Sequence, residues 1–423
     1  MPVQYIYSLT ISVVRSLFKF MNHSGIRRAL MRSDSKFSRF VELQDNAMDA
    51  VLAAGPFPGN TVWIHCASLG EYRVASPILR SLKQKGYNTL LTLFSPSAYD
   101  VLIKESPENR IADYIFLLPL DTRKNARKFI NGVRPHSAIF IISEIWPNYV
   151  RALKEAGIPA YLASALIHGR SAVTKWYGGI FRQTYMSYKK VLVLDNLSAA
   201  RLRDIGVTNV EVSGDPLFDN ARKTAELPYE NPILAQFCMS RRVLVGGSIS
   251  DVNDLQLFAY VVNQFPDDRF VIVPHDIRKD VIDRIRKTVR GRCALYTECD
   301  ELSDLEGVQV LIIDYVGDLS KLYRYCAYAY VGGGFTPLLH SVIEPAVYGL
   351  PVSFGPKIHR KNTPLEMINL GIGEMVWTGQ ALSEWYGDLR GNPVKCEQIN
   401  ATALNYIKEN CGATSGIVEK LGY

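Results

Sequence analysis

The stretch YVGGGFTPLLHSVIEPAVYGLPVSFGP, residues 330–356, decides the fold. A β-rich apolar run stops at Gly332, Gly333 and Gly334, a loop follows, and His340, Ser341 and Glu344 stand at the start of an expected helix. Glycines lack a Cβ, so backbone N–H groups there can face a phosphate, and a helix N-terminus adds positive potential. Glu344 follows His340 by four positions, which puts both on one helical face, where the carboxylate can accept hydrogen bonds from ribose hydroxyls. A capped Gly-rich turn is the bland competitor. The Gly, His and Glu spacing followed by YGLPVSFGP favours a nucleotide-sugar site.

Two loops nearby complement it. VGGSIS, residues 245–250, ends a strand with Gly246, Gly247 and Ser248, offering amides and a hydroxyl to an anion. VPHDIRK, residues 273–279, places His275 at a strand end with Arg278 just behind. Either loop alone reads as ordinary turn chemistry. Both following strands of one domain point to a ligand.

Further outward, short apolar runs alternate with helix-like stretches of period near 3.6. In the first half the runs are TVWIHCAS, NTLLTLFS, YIFLLPL, SAIFIIS, PAYLASAL and VLVLD; after a polar pause at 213–232 come RRVLVGGS, RFVIVPH, VQVLIID, YAYVGGG and LPVSFGP. Strands alternating with helices imply parallel sheets with right-handed crossovers. The expected fold is therefore α/β, two Rossmann-like domains with parallel sheets facing a central cleft. Its segments are 1–40 at the N-terminus, a first domain 41–215, a linker 216–240, a second domain 241–395 and a C-terminal helix 396–423. Ligands of such sheets collect beyond the carboxyl ends of the strands.

Length and composition agree. A chain of 423 residues with 48% hydrophobic content can fill two cores. Seven scattered cysteines without a CxxC pair argue against a disulfide framework or a zinc knuckle. Residues 1–40 carry seven Lys and Arg against Asp34, so 7 − 1 = +6 of the formal +7 lies there and the remainder is near neutral. This disfavours a nucleic-acid partner. The run MPVQYIYSLTISVV ahead of Arg15 is shorter than the roughly 20 residues that span a bilayer. With the basic residues behind it, it reads as an interfacial anchor on a membrane surface, against the competing reading of a surface-packed helix.

The first half holds two carboxylates at strand ends. WIHCASLGEY, residues 63–72, ends a strand and turns at Gly70 before Glu71; IISEIWPNY, residues 141–149, places Glu144 after another strand. Such a pair suits acid/base work, although Glu144 could equally cap the helix entered through Pro147. No HExxH, DxD, GxxxxGK[ST] or GxSxG is present, so neither a metal nor a cofactor is expected, and a P-loop or serine-hydrolase reading has no support.

WIHCASLGE, LPLD, SEIWP, VEVSGDPLFD and VGGGF…H…EPAVYGLPVSFGP, in this order, resemble the 3-deoxy-D-manno-oct-2-ulosonic acid (Kdo) transferases, from about residue 60 to about residue 375. The resemblance implies a GT-B glycosyltransferase: an acceptor-binding first domain, a CMP-Kdo-binding second domain and a membrane-associated N-terminal segment. It implies inverting, metal-independent transfer of Kdo to the lipid A precursor at the cytoplasmic face of the inner membrane. Glu71 would be the general base and Glu144 its supporting acid. Gly247, Ser248, His275, Arg278, Gly333, Gly334, His340, Ser341 and Glu344 would hold the donor. Ser68, Gly70, Arg73, Arg170, Lys175 and Arg182 would meet the acceptor. Two departures stand out. Leu338, Leu339, His340 and Ser341 replace the Gly-Gly-His-Asn common in the family, and Pro274 leads straight to His275 where an Arg-His pair is common, leaving Arg278 to supply the cation. The competing readings are a GT-B enzyme of another nucleotide sugar, a UDP-sugar transferase or epimerase indifferent to lipid, and a non-catalytic glycolipid-binding protein that releases no CMP.

Overall fold

The computed structural model describes residues 35–423, except 107–108, 143, 170, 240–241, 300–301, 337–338 and 359–361. The expected anchor thus lies almost wholly outside the described residues. Two compact α/β units make up the chain: one runs to Asn220 and takes back Gly412–Tyr423, and the other is Ala221–Cys411.

Each unit carries one seven-stranded sheet, parallel throughout. In the first, β1 (Thr61–Cys66), β2 (Asn88–Leu93), β3 (Tyr114–Leu117), β4 (Ser137–Ile141), β5 (Ala160–Ala165), β6 (Lys190–Val193) and β7 (Val210–Val212) lie in the order β3-β2-β1-β4-β5-β6-β7. Every residue of β1, β4 and β5 is buried. Helices cover both faces of such a sheet, so its central strands read as unbroken apolar runs rather than alternating ones. One face centres on Trp63, packed against Phe129, Phe140 and Tyr149 with ring centroids 4.7, 5.2 and 5.6 Å away. On the other face Val62, Ile64 and Cys66 share a core with Val74, Ile78 and Leu82 of the helix Leu69–Gln84.

The second sheet holds β8 (Leu244–Ile249), β9 (Phe270–Pro274), β10 (Cys293–Leu295), β11 (Val310–Ile312), β12 (Tyr328–Val331), β13 (Val352–Phe354) and β14 (Gly373–Met375) in the order β10-β11-β9-β8-β12-β13-β14. Both orders reverse beside their first strand: β1 lies between β2 and β4, and β8 between β9 and β12. At such a reversal the loops leaving two adjacent strands diverge to opposite faces and open a crevice. The loops after β1 and β4 line one crevice, those after β8 and β12 the other.

Three expectations need correction. The expected linker 216–240 is largely helical, Pro216–Glu226 and Pro232–Cys238, and the division between units falls inside the first of these helices. Both helices begin on proline, whose missing N–H is not needed at a first helical position. The expected terminal helix 396–423 is two helices, Pro393–Asn410 and Ala413–Lys420, separated at Gly412 with φ +103°. The second returns to the first unit, so the second unit extends to Cys411 rather than 395. Finally, the helix expected behind the glycine loop is a single turn, Ile343–Ala346. Gly349, at φ +77°, and Pro351 stop it early. Among the described residues no helix is long and apolar enough to cross a membrane.

Candidate active site

In the first unit β1 delivers the chain into the helix Leu69–Gln84 through Ser68. Ser68 caps that helix, its Oγ accepting from the N–H of Glu71 at 3.4 Å, so Glu71 occupies the first turn with its side chain over the end of β1. The Glu71 carboxylate accepts a hydrogen bond from the N–H of Ala67. Glu144 arrives from the loop after β4, where Ile142 has φ +60°. A β-branched residue rarely adopts that conformation, which marks the loop as strained. Glu71 and Glu144 are hydrogen-bonded through their carboxyl groups, and burial first, then the Glu144 charge, push the Glu71 carboxyl up to about 8.

Glu144 has donors of its own. Oε2 accepts from Trp146 Nε1 at 2.7 Å and lies 3.3 Å from His65 Nε2; its backbone carbonyl accepts from the Tyr188 hydroxyl at 3.2 Å. His65 is fully buried in β1, with Nδ1 2.9 Å from Thr92 Oγ1.

In the second unit the loops after β8, β9 and β12 come together. Gly332 donates its N–H to the carbonyl of Gly247 and accepts at its own carbonyl from the N–H of His340. A Cβ on Gly332 would collide with the backbone of Ser248, and one on Gly334 with the backbone of Gly355. Gly333 and Ser248 sit in the left-handed region at φ +85° and +55°; for serine that is an uncommon conformation. Asp254, fully buried, ties these loops together: its carboxylate accepts from the N–H of Gly333 (2.8 Å), the Tyr330 hydroxyl (2.7 Å), and the Ser250 hydroxyl and N–H (2.9 and 3.2 Å). His275 and His340 stack with ring centroids 4.8 Å apart. The pair of imidazoles at the end of these loops can meet an anion.

Residues 27–220 match the family model described as 3-Deoxy-D-manno-octulosonic-acid transferase (kdotransferase). That segment is just under half of the chain, and over it the sequence is similar to the Kdo transferases. The chain is 25% identical over 384 residues to the 3-deoxy-D-manno-octulosonic acid transferase of Haemophilus influenzae, covering 86% of this chain and 87% of that one. To the enzyme of the same name from Aquifex aeolicus it is 25% identical over 311 residues, 73% of this chain and 79% of the other. In fold it is similar to the Neisseria meningitidis UDP-GlcNAc 2-epimerase bound to UDP-GlcNAc, with a TM-score of 0.60 at 15% identity over 85% of this chain and 99% of that one. It is similar also to Acinetobacter baumannii MurG, with a TM-score of 0.53 at 12% identity over 86% and 99%. The fold is GT-B and the protein is a glycosyltransferase.

The remaining residues singled out by the family resemblance fall in several places. Gly70 and Arg73 are exposed on the helix that carries Glu71. Lys175 and Arg182 are half-buried and knit one loop: Lys175 Nζ donates to the Gly169 carbonyl at 3.1 Å, and Arg182 donates to the carbonyls of Lys175 and Trp176 at 3.0 and 3.3 Å. Arg170 lies outside the described residues. Arg278 is exposed and pairs with Asp276 at 2.6 Å and Asp280 at 3.7 Å, so its charge is largely spent on its own turn. Ser341 and Glu344 are half-buried behind the His340 loop, and the Glu344 charge, after burial, helps hold the Tyr323 hydroxyl protonated. Because the helix there is one turn, the anion-attracting potential expected of its N-terminus is lost. Sequence reasoning missed His65, Thr92, Trp146 and Asp254. Only the alternation of Trp63 and His65 on one face of β1 hinted at the first two.

Proposed function

We propose that this protein moves Kdo from CMP-Kdo to the lipid A precursor, with Glu71 as general base. The observation that carries the reading is the Glu71–Glu144 pair over the ends of β1 and β4, with the Glu71 carboxyl at about 8. A neutral sugar hydroxyl is a poor nucleophile. A base whose proton affinity lies near the operating pH takes that proton most effectively, a contribution on the order of 10²–10⁴-fold. In the reaction the acceptor O–H bond breaks toward Glu71, its oxygen forms a bond to the anomeric carbon of Kdo, and the bond to the CMP phosphate breaks with its electron pair leaving on CMP. Attack opposite the leaving group inverts the anomeric centre, and the reaction as drawn uses no metal.

The second unit would take the donor. Ser248, Gly334 and the stacked His275 and His340 would face the phosphate, with Gly247 and Gly333 as bare backbone beside them and Ser341 and Glu344 behind for the ribose; the Gly333 N–H itself is held by Asp254. Arg278 has a smaller part, given its pairing with two aspartates. Ser68, Gly70, Arg73, Arg170, Lys175 and Arg182 would line the acceptor's approach. The seven basic residues of the first 40 would hold the chain against anionic lipid at the cytoplasmic face of the inner membrane. To test the reading, the full chain is incubated with a lipid A precursor and either CMP-Kdo or UDP-GlcNAc, and the lipid is weighed by mass spectrometry. A gain of Kdo from CMP-Kdo alone is expected; no gain, or gain from UDP-GlcNAc, would overturn it.

A further inference from the structure

We infer that His65 is a positioning residue of the carboxylate pair: a hydrogen-bond chain from Trp63 through Thr92 fixes its ring so that Nε2–H donates to Glu144 and holds that carboxyl beside Glu71. The inference rests on the reading of Glu71 as base.

One direction of the chain gives every group a complementary partner. The Trp63 indole can only donate, and its Nε1 lies 2.8 Å from Thr92 Oγ1, so that oxygen is an acceptor toward Trp63. The hydroxyl's own proton is then free for His65 Nδ1, 2.9 Å away. A neutral imidazole that accepts at Nδ1 carries its hydrogen at Nε2, which faces Glu144 Oε2 at 3.3 Å. The opposite tautomer would donate from Nδ1 to the Thr92 carbonyl at 3.1 Å and turn a lone pair on a carboxylate. Topology builds the arrangement: parallel registers set His65 opposite Thr92 of β2 on one side and opposite Phe140 of β4 on the other, and Glu144 follows Phe140 after the strand turns out. The Trp146 indole donates to the same Oε2 at 2.7 Å.

Among the described residues the titratable groups facing the pair are His65 and Cys66 from β1 and Tyr188, whose hydroxyl donates to the Glu144 carbonyl. Burial keeps the Cys66 thiol and the Tyr188 hydroxyl protonated, so neither adds a charge near neutrality. The donors on Oε2 therefore set how readily the pair carries negative charge. Removing the His65 donor takes away support for the Glu144 charge that helps push the Glu71 carboxyl up, and the acidic limb of activity moves to lower pH.

Two measurements test this. In the intact chain labelled with ¹⁵N-histidine, the His65 resonance is expected to show hydrogen on Nε2; hydrogen on Nδ1 alone would overturn the inference whatever the activity. Second, kcat/KM for CMP release is followed against pH. Thr92→Val removes the hydroxyl at nearly constant volume and should move the acidic limb down by about one unit, a gain of roughly tenfold in rate below the limb. Thr92→Ser should return the limb to its original position. A uniform fall in Thr92→Val with an unmoved limb would assign Thr92 and His65 to packing alone. Absence of CMP release from the parent chain would instead remove the transferase reading, and the tautomer would still decide this one.

Discussion

At the scale of the residue, a carboxylate stands half-buried at the end of β1. Glu71 pays for its position in stability. Its carboxyl titrates at about 8 when folded against an ordinary 4.5, so the folded chain favours the protonated form. The associated stability is complete below about 4.5 and is lost as pH rises through 8. Glu71→Gln has no such dependence. Its melting temperature relative to the parent should rise between pH 5 and pH 9, by an amount worth on the order of a few kcal/mol, and thermal denaturation at both pH values checks it. Glu144→Gln removes the neighbouring charge, so the Glu71 carboxyl should fall and the acidic limb of kcat/KM should move to lower pH, in the same direction as Thr92→Val and further. Glu71 and Glu144 were legible in the sequence because a charge right behind an apolar run and a turn has few structural uses. His65 was not, because a histidine inside a buried run looks like core until strand register shows what stands opposite it.

At the scale of the element, the second unit's loops show how a site is held. Asp254 accepts from four donors on three residues of two segments, and an amide in its place cannot accept from all of them. Asp254→Asn should leave a buried donor unpaired, cost about 1–3 kcal/mol in denaturant unfolding, and raise KM for CMP-Kdo more than it lowers kcat. Unchanged stability would show that the loops hold themselves. The central strands were readable because both faces are covered and the apolar runs are uninterrupted. Three strands escaped notice: β7, β10 and β14 are three residues each, and in β10 and β14 Cys293–Leu295 and Gly373–Met375 are only partly buried, so no run of apolar residues announces them. The single turn Ile343–Ala346 was overestimated for the converse reason. His340 and Glu344 have helical spacing, but Gly349 and Pro351 limit the length, and spacing cannot report length.

At the scale of the whole molecule, the chain closes on itself: its last helix, Ala413–Lys420, belongs to the first unit. Ile417, Val418 and Leu421 complete the core beneath the helix Leu69–Gln84, and Asp219 accepts from the N–H groups of Gly412 and Thr414 at 2.6 Å each. Truncation after Cys411 strips three buried apolar side chains worth about 1.5–3 kcal/mol each. It should expose the first unit to proteolysis before the second, a result readable by mapping the first cleavage sites. Periodicity revealed a terminal helix but not its partner, since a short apolar set fits any open face. The central claim, base catalysis by Glu71 in Kdo transfer, is tested most directly by CMP release from CMP-Kdo with a lipid A precursor, comparing the parent with Glu71→Gln. The account predicts acceptor-dependent release that falls at least about a hundredfold in the variant; release undiminished in Glu71→Gln would contradict it.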